Sequence, residues 1–205
     1  MDEVKKNNDI LFQALNEYEK ILNNKYKYIL ENGASLEIIF KKSFFPHLIG
    51  LHKLKDRDNF NKLNSEEGQA TRIYREIKKG KITIEDIKKS SYFLEIKERI
   101  ETFLQIEEIL AFSEVLINFK KEILKKQTKM DTELKSNIIF YKKIKDMYIH
   151  LCIVKQNGKV YPESFFTRKD ANYIKGQAKR LILEKEIITN TAEKKKGKSR
   201  KKYIK

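Results

Sequence analysis

Between residues 2 and 23 the apolar positions Ile10, Leu11, Ala14, Leu15, Tyr18, Ile21 and Leu22 recur at helical spacing, with charged residues between them. Side chains three and four apart share one helix face, so the segment is an amphipathic first helix that needs a surface to lean on. The period then changes. In KYKYILENGASLEIIFKK two runs rich in Tyr and Ile flank Asn32-Gly33, a pair that accepts the positive φ angles of a tight turn, so a hairpin is expected. Its second strand leads directly into FFPHLIGLHKLKDRDNF, Phe44 to Phe60, where an apolar segment turns abruptly basic.

From about 65 to 112 the pattern is helical again. Ala70, Ile73, Tyr74 and Ile77 form one stripe, and Thr83 heads a capped start before Ile84-Glu85-Asp86-Ile87. In SSYFLEIKERIETFLQIEEILAF the apolar set Phe93, Ile96, Ile100, Phe103, Leu104 and Leu110 keeps a helical period with charges opposite. SEVLINF reads equally as a short strand or as a continuation of that helix. After the polar connection KKQTKMDTELK, the runs SNIIFYKK, MYIHLCIV and KVYPESFF are separated by turn signals that include Asn157-Gly158, the pattern of an antiparallel meander. Arg168 to about Ile188 is expected to be helical, with Ala171, Ile174, Ala178, Leu181 and Ile182 on one face. The sum is an α+β fold: an N-terminal helix on an antiparallel sheet, a helical insert at about 65–112 and a C-terminal helix. Residues 1–190 are expected to form a single domain, with 191–205 as a basic, flexible tail.

Composition fits a folded core, with 40% hydrophobic residues and only 2 Pro and 7 Gly among 205 residues. The chain carries 45 Lys and Arg against 29 Asp and Glu, a net charge of +16. Glu193 to Lys205 holds eight basic residues and one acidic one, which leaves about +9 on the rest. Such a field favours phosphate-bearing partners. Cys152 has no second cysteine to pair with and is expected to pack as a small hydrophobe. The N-terminus lacks a signal-peptide pattern, and no apolar run approaches the roughly 20 residues of a membrane span. A cytoplasmic protein without membrane contact is expected.

The chemistry lies in three histidines. His47 and His52 are five apart and His150 is a hundred residues on; no metal-ligand spacing joins them. Asp56, Asp58 and Glu66 are candidates for two-metal chemistry by proximity alone. Metal-free RNA cleavage asks for less: a base to take the 2′-OH proton, an acid for the departing 5′-oxygen, and cations or donors for the phosphorane. Pro46 and Gly50 make the His47 turn rigid enough to aim an imidazole. The alternative is a packing histidine in a loop anchored by Phe44, Phe45, Leu48 and Leu51. His52, beside Lys53 and Lys55, reads as a phosphate contact or a surface group. His150 shares a strand face with Tyr148 and Cys152. In VYPESFFTRKD, Ser164 lies in an edge-strand or turn context near Tyr161, and Arg168 and Lys169 are expected at a helix start, a natural phosphate cradle; an ordinary helix cap is the alternative.

FKKSFFPHLIGLHKL and YPESFFTRKDANYIKGQ, with KKGKITIEDIKKSSYFLEIKERIETFLQIEEIL between them, resemble a phage and mobile-element branch of the Barnase, EndoU, colicin and RelE-like nuclease superfamily over about residues 25–188. The resemblance implies a RelE/Barnase-like core and metal-independent RNA cleavage in toxins or in conflicts between phages, plasmids and bacterial hosts. It carries over His47 from FPHLIG and Ser164 from SFF, and more weakly Tyr161 and Arg168.

The expected function is therefore a cofactor-free endoribonuclease acting by 2′-OH attack in a single basic cleft. His47 would be acid or base, Ser164 and Tyr161 hydroxyl donors, and Arg168 and Lys53 charge stabilisers; His52, Lys53, Lys55 and Lys169 would hold RNA. An antitoxin, an immunity protein or a host ribonucleoprotein would be a further partner. The competing expectation is a non-catalytic binder of RNA or of a ribonucleoprotein, such as a phage-borne inhibitor of a bacterial defence complex. A DNA-binding regulator lacks a defensible helix-turn-helix.

Overall fold

The structure, a computed structural model, describes residues 8–64, 68–112 and 114–189. Helix α1 (Ile10–Ile21) starts at Asp9, whose Oδ1 accepts from the backbone N–H of Leu11 (2.9 Å) and Phe12 (3.2 Å). The other oxygen of Asp9 accepts from Ile84 N–H at 2.9 Å, so one buried carboxylate caps α1 and also ties it to a second helix start. Strands β1 (Asn24–Leu30) and β2 (Ser35–Ile39) form the expected hairpin, with Gly33 at φ +77. Tyr26, Tyr28 and Leu30 of β1 and Leu36 and Ile38 of β2 alternate inward.

One-turn helices α2 (Phe45–Leu48) and α3 (Asp58–Asn61) follow, then α4 (Gln69–Lys78), α5 (Ile84–Lys88), α6 (Phe93–Thr102) and α7 (Ile106–Phe112). The capped start is present: Thr83 and Asp86 satisfy each other's backbone N–H groups at the head of α5. Next come β3 (Glu114–Ile117), α8 (Lys121–Thr128), and the meander β4 (Ile138–Ile144), β5 (Met147–Gln156) and β6 (Lys159–Arg168). The chain ends its described course in β7 (Lys179–Arg180) and β8 (Ile182–Thr189). One antiparallel sheet has the order β2-β1-β8 and the other β6-β5-β4-β3-β7. β6 is therefore an edge strand.

The five-stranded sheet has a core on each face. Ile138, Phe140, Ile149, Leu151, Ile153 and Phe165 point into the larger one, shared with α1, the β1–β2 hairpin and helices α4, α6 and α7. Ile139, Tyr141 and Cys152 point the other way, into a smaller core closed by Phe119, Leu124 of α8, Tyr173 and Ile174. The period-2 alternation of MYIHLCIV therefore sorts residues between two interiors, and His150, Cys152 and Tyr148 share a face as the alternation requires.

Two expectations are corrected and one open alternative is resolved. The segment 168–188 is no helix: Gly176 at φ +69 breaks it, a turn occupies 172–176, and Ile182–Thr189 pairs antiparallel with the free edge of β1. The β-branched run Ile182, Ile187 and Ile188 suits that edge, and tertiary pairing overrides a weak helical period. SEVLINF contributes strand β3 and does not extend a helix. The connection before the meander contains helix α8, which was not anticipated. The tail 191–205 and Glu66 lie outside the described residues.

Candidate active site

The FFPHLIGLHKL stretch folds as two successive tight turns. Pro46 sits in the first turn of α2, where its missing N–H costs nothing, and Gly50 at φ +85 reverses the chain into a 3₁₀ turn over Leu51–Lys53. Phe45, Leu48, Ile49, Leu51 and Leu54 are fully buried and pin both turns to the large core. The consequence is a histidine pair: the His47 and His52 rings are 5.8 Å apart at 35°. Five residues of separation thus become one edge of a site.

That edge lines a cleft of about 1140 Å³ whose other walls come mainly from three places. Edge strand β6 contributes Tyr161, Glu163, Ser164 and Arg168; α6 contributes Glu95, Glu98 and Arg99; the loop 131–135 forms the remaining wall. Glu163 clasps that loop to β6, accepting from Lys135 N–H (2.9 Å), from Ser136 N–H (2.7 Å) and from the Ser136 hydroxyl. Tyr161 stacks on Phe44 at 6.4 Å, which joins β6 to the histidine turn.

Six of the residues expected at the site, His47, His52, Lys53, Tyr161, Ser164 and Arg168, line this one cleft although two chain segments about a hundred residues apart supply them. Lys55 and Lys169 do not. Arg168 is the last residue of β6 and not part of a helix start, so the expected helix-terminal phosphate cradle is absent. Its guanidinium is paired with Asp170 at 2.7 Å. Asp56 is engaged by the Ser90 hydroxyl and by Ser91 N–H and accounts for no metal site. Among the described residues no group of three His, Cys, Asp or Glu side chains is arranged to hold a metal ion.

The cleft is also not a basic groove. Lys53, Arg99, Lys135 and Arg168 face five carboxylates, those of Glu95, Glu98, Asp131, Glu133 and Glu163. Cations concentrate elsewhere, in a groove of about 580 Å³ lined by Lys142, Lys143, Lys175 and Lys179 with Tyr141 and Tyr148, where no carboxylate contributes to the lining, although Lys142 is paired with Glu108 at 2.8 Å. The two share a boundary. Tyr148 of the groove pairs in register with Arg168 of the cleft, and Tyr173 of the cleft precedes Ile174 and Lys175 of the groove.

Burial lowers the pKa of His47, and burial together with the neighbouring His47, Arg99 and Lys53 lowers His52 to about 4. Both shifts favour the neutral imidazole, the form a general base requires. Burial also lowers Lys53, with the Arg99 charge adding to it. Arg99 is the residue the sequence pattern did not single out. It projects from α6 on the same face as Ile96, Ile100 and Phe103, is 8% exposed, and approaches Gly50 so closely that a Cβ there would lie 3.0 Å from its Cδ. A cation at i+3 from Ile96 and i−4 from Phe103, inside an apolar stripe, was the available signal.

An imidazole pair, two hydroxyls, a buried arginine and a half-buried lysine around one cleft can move protons at a phosphodiester and offset charge on it. The class that combines such a cleft with an antiparallel sheet and packed helices is that of small α+β nucleases. Residues 10–205 match the phage-Barnase-EndoU-ColicinE5/D-RelE like nuclease 4 family, and the chain belongs to that family. The match extends past both ends of the 25–188 segment that carries the resemblance. No curated protein and no solved structure matches the chain.

Proposed function

We propose that the protein is a metal-independent endoribonuclease of phage or mobile-element origin that cleaves RNA by attack of a ribose 2′-OH on the adjacent phosphate. The observation that carries this reading is the gathering of His47, His52, Tyr161 and Ser164 around one cleft. Neutral His47 takes the 2′-OH proton, and Ser164 and Tyr161 donate hydrogen bonds to the non-bridging oxygens as charge builds on the phosphorane. The leaving 5′-oxygen needs a proton as its bond to phosphorus breaks. His52 is placed to deliver it once an arriving phosphate has favoured its protonated form. Lys53 offsets charge beside this pair. The lysine-rich groove holds phosphates flanking the scissile one, which a cleft with so many carboxylates does poorly. In this setting the protein acts as a toxin or as a weapon in conflict between a mobile element and its host, held in check by a protein partner.

Labelled RNA incubated in EDTA tests the reading. The wild-type protein cleaves it, and His47→Ala cleaves at least about a hundredfold more slowly. RNA that is bound tightly but stays intact for hours with both proteins would instead establish the non-catalytic binder, for which charge matters and His47 does not.

A further inference from the structure

Arg99 stands in an unusual position for an arginine. A guanidinium withdrawn from water loses its hydration unless a carboxylate or a set of acceptors replaces it, so buried arginines are normally paired. Arg99 is more than nine-tenths buried, its Nη1 has no hydrogen-bond partner, and among the described residues it forms no ion pair. Glu95 and Glu98 share its helix and line the same cleft, yet neither reaches it. The positive charge is not relieved by its neighbours: His52 and Lys53 are both disfavoured as cations by Arg99. His52 Nδ1 is likewise buried and without a partner. The side chains that carry these two unpartnered nitrogens both line one cavity, and one of them bears a permanent charge.

The packing holds the guanidinium in place. Gly50 at φ +85 puts bare backbone against it: an added Cβ there would lie 3.0 Å from Arg99 Cδ, 3.2 Å from Nη1 and 3.0 Å from Ile96 Cγ2. The glycine that turns the chain between His47 and His52 is thus the residue that admits the arginine beside them. A planar fork fixed before the ligand arrives loses little entropy on binding, and the geometry suits two oxygens of a tetrahedral oxyanion.

We propose that Arg99 is the fixed cation of a phosphate seat in this cleft, holding one phosphoryl group against the His47–His52 pair. This rests on the nuclease reading only for the identity of that group as part of RNA; the seat itself requires only a phosphate-like oxyanion. Arg168, engaged by Asp170, has the lesser part.

The chain has 3 histidines, and they give the test its readout. In proton NMR at constant pH, adding inorganic phosphate to the full-length wild-type protein shifts the ring signals of His47 and His52 saturably. The signal of His150, sealed in the small core, stays fixed and reports that the fold is intact. Arg99→Gln weakens the phosphate response at least tenfold with His150 unmoved, and Arg99→Lys, which keeps charge but not the fork, gives an intermediate loss. An equal response in Arg99→Gln with His150 intact overturns the seat. If both variants fail to fold, the wild-type titration decides alone, since shifts that do not saturate, or that are spread equally over all three histidines, also overturn it. Cleavage separates the two claims. Arg99→Gln cutting RNA at the wild-type rate removes the seat and leaves the nuclease; saturable phosphate binding by a wild-type protein that never cuts RNA does the reverse.

Discussion

Two regions bury histidines, and they differ in what surrounds the rings. His150 is fully buried in the small core, stacked on Phe166 at 4.7 Å and 13° and set against Tyr173 at 5.8 Å. Burial pushes it down to about 4. His52 is also pushed down to about 4, but its ring borders an open cleft beside His47, Lys53 and Arg99. The same depressed basicity belongs to a sealed stack in one place and to a ring beside an open cleft in the other. A shifted histidine is therefore informative only together with the groups and the space that it faces.

Paired substitutions break this comparison most sharply. His47→Ala lowers cleavage by two orders of magnitude or more and leaves urea unfolding nearly unchanged, because the turn is held by Phe45, Leu48 and Leu51 and not by the imidazole. His150→Ala does the opposite: it empties a fully buried, stacked site, costs about 2–4 kcal/mol in urea unfolding, and leaves cleavage per folded molecule as it was.

The pH dependence of stability ranks next. His150 titrates near 6.5 in the unfolded chain and near 4 in the native one, so between these values the unfolded state binds more protons and stability falls as the pH drops. The contribution, on the order of 3 kcal/mol, is fully present above about pH 6.5 and is lost once the pH is below 4. His150→Phe keeps the stack and removes this share of the acid loss, as urea titrations at pH 7 and pH 4 would register.

Glu163→Gln has a smaller effect. It weakens the clasp on Lys135 and Ser136 by about 1–2 kcal/mol and loosens the 131–135 wall, visible as faster amide exchange at Ser136. Smallest is Asp170→Asn, which frees Arg168 from a partly exposed pair. Stability changes by less than about 1 kcal/mol, while RNA binding tightens modestly with a steeper salt dependence.

What the sequence made legible follows from how local each signal is. Asn32-Gly33, Thr83 with Asp86, and the alternation of MYIHLCIV are short-range signals, and each appears in the structure as read. The strand Ile182–Thr189 was misread because its partner β1 lies about 150 residues earlier and nothing local reveals the pairing. That His47 and Ser164 would meet at one cleft was expected from short motifs and the resemblance they carry. Arg99 was hidden because a long polar side chain in an apolar helix stripe looks like a break in the pattern until Gly50 is seen packed against it. The expected basic cleft misled for a related reason: net charge belongs to the whole chain, and here the lysines gather in the neighbouring groove.

The central claim is that the cleft uses the ribose 2′-OH as the nucleophile, and product chemistry tests it most directly. An end-labelled RNA and a matched strand with a single 2′-deoxy substitution at the cut position are incubated with wild-type protein in EDTA, and the termini are resolved by mass spectrometry. The account predicts 2′,3′-cyclic phosphate ends from the all-ribose strand and no cut at the deoxy position. Cutting at the deoxy position, or products ending in a free 3′-hydroxyl, would contradict it.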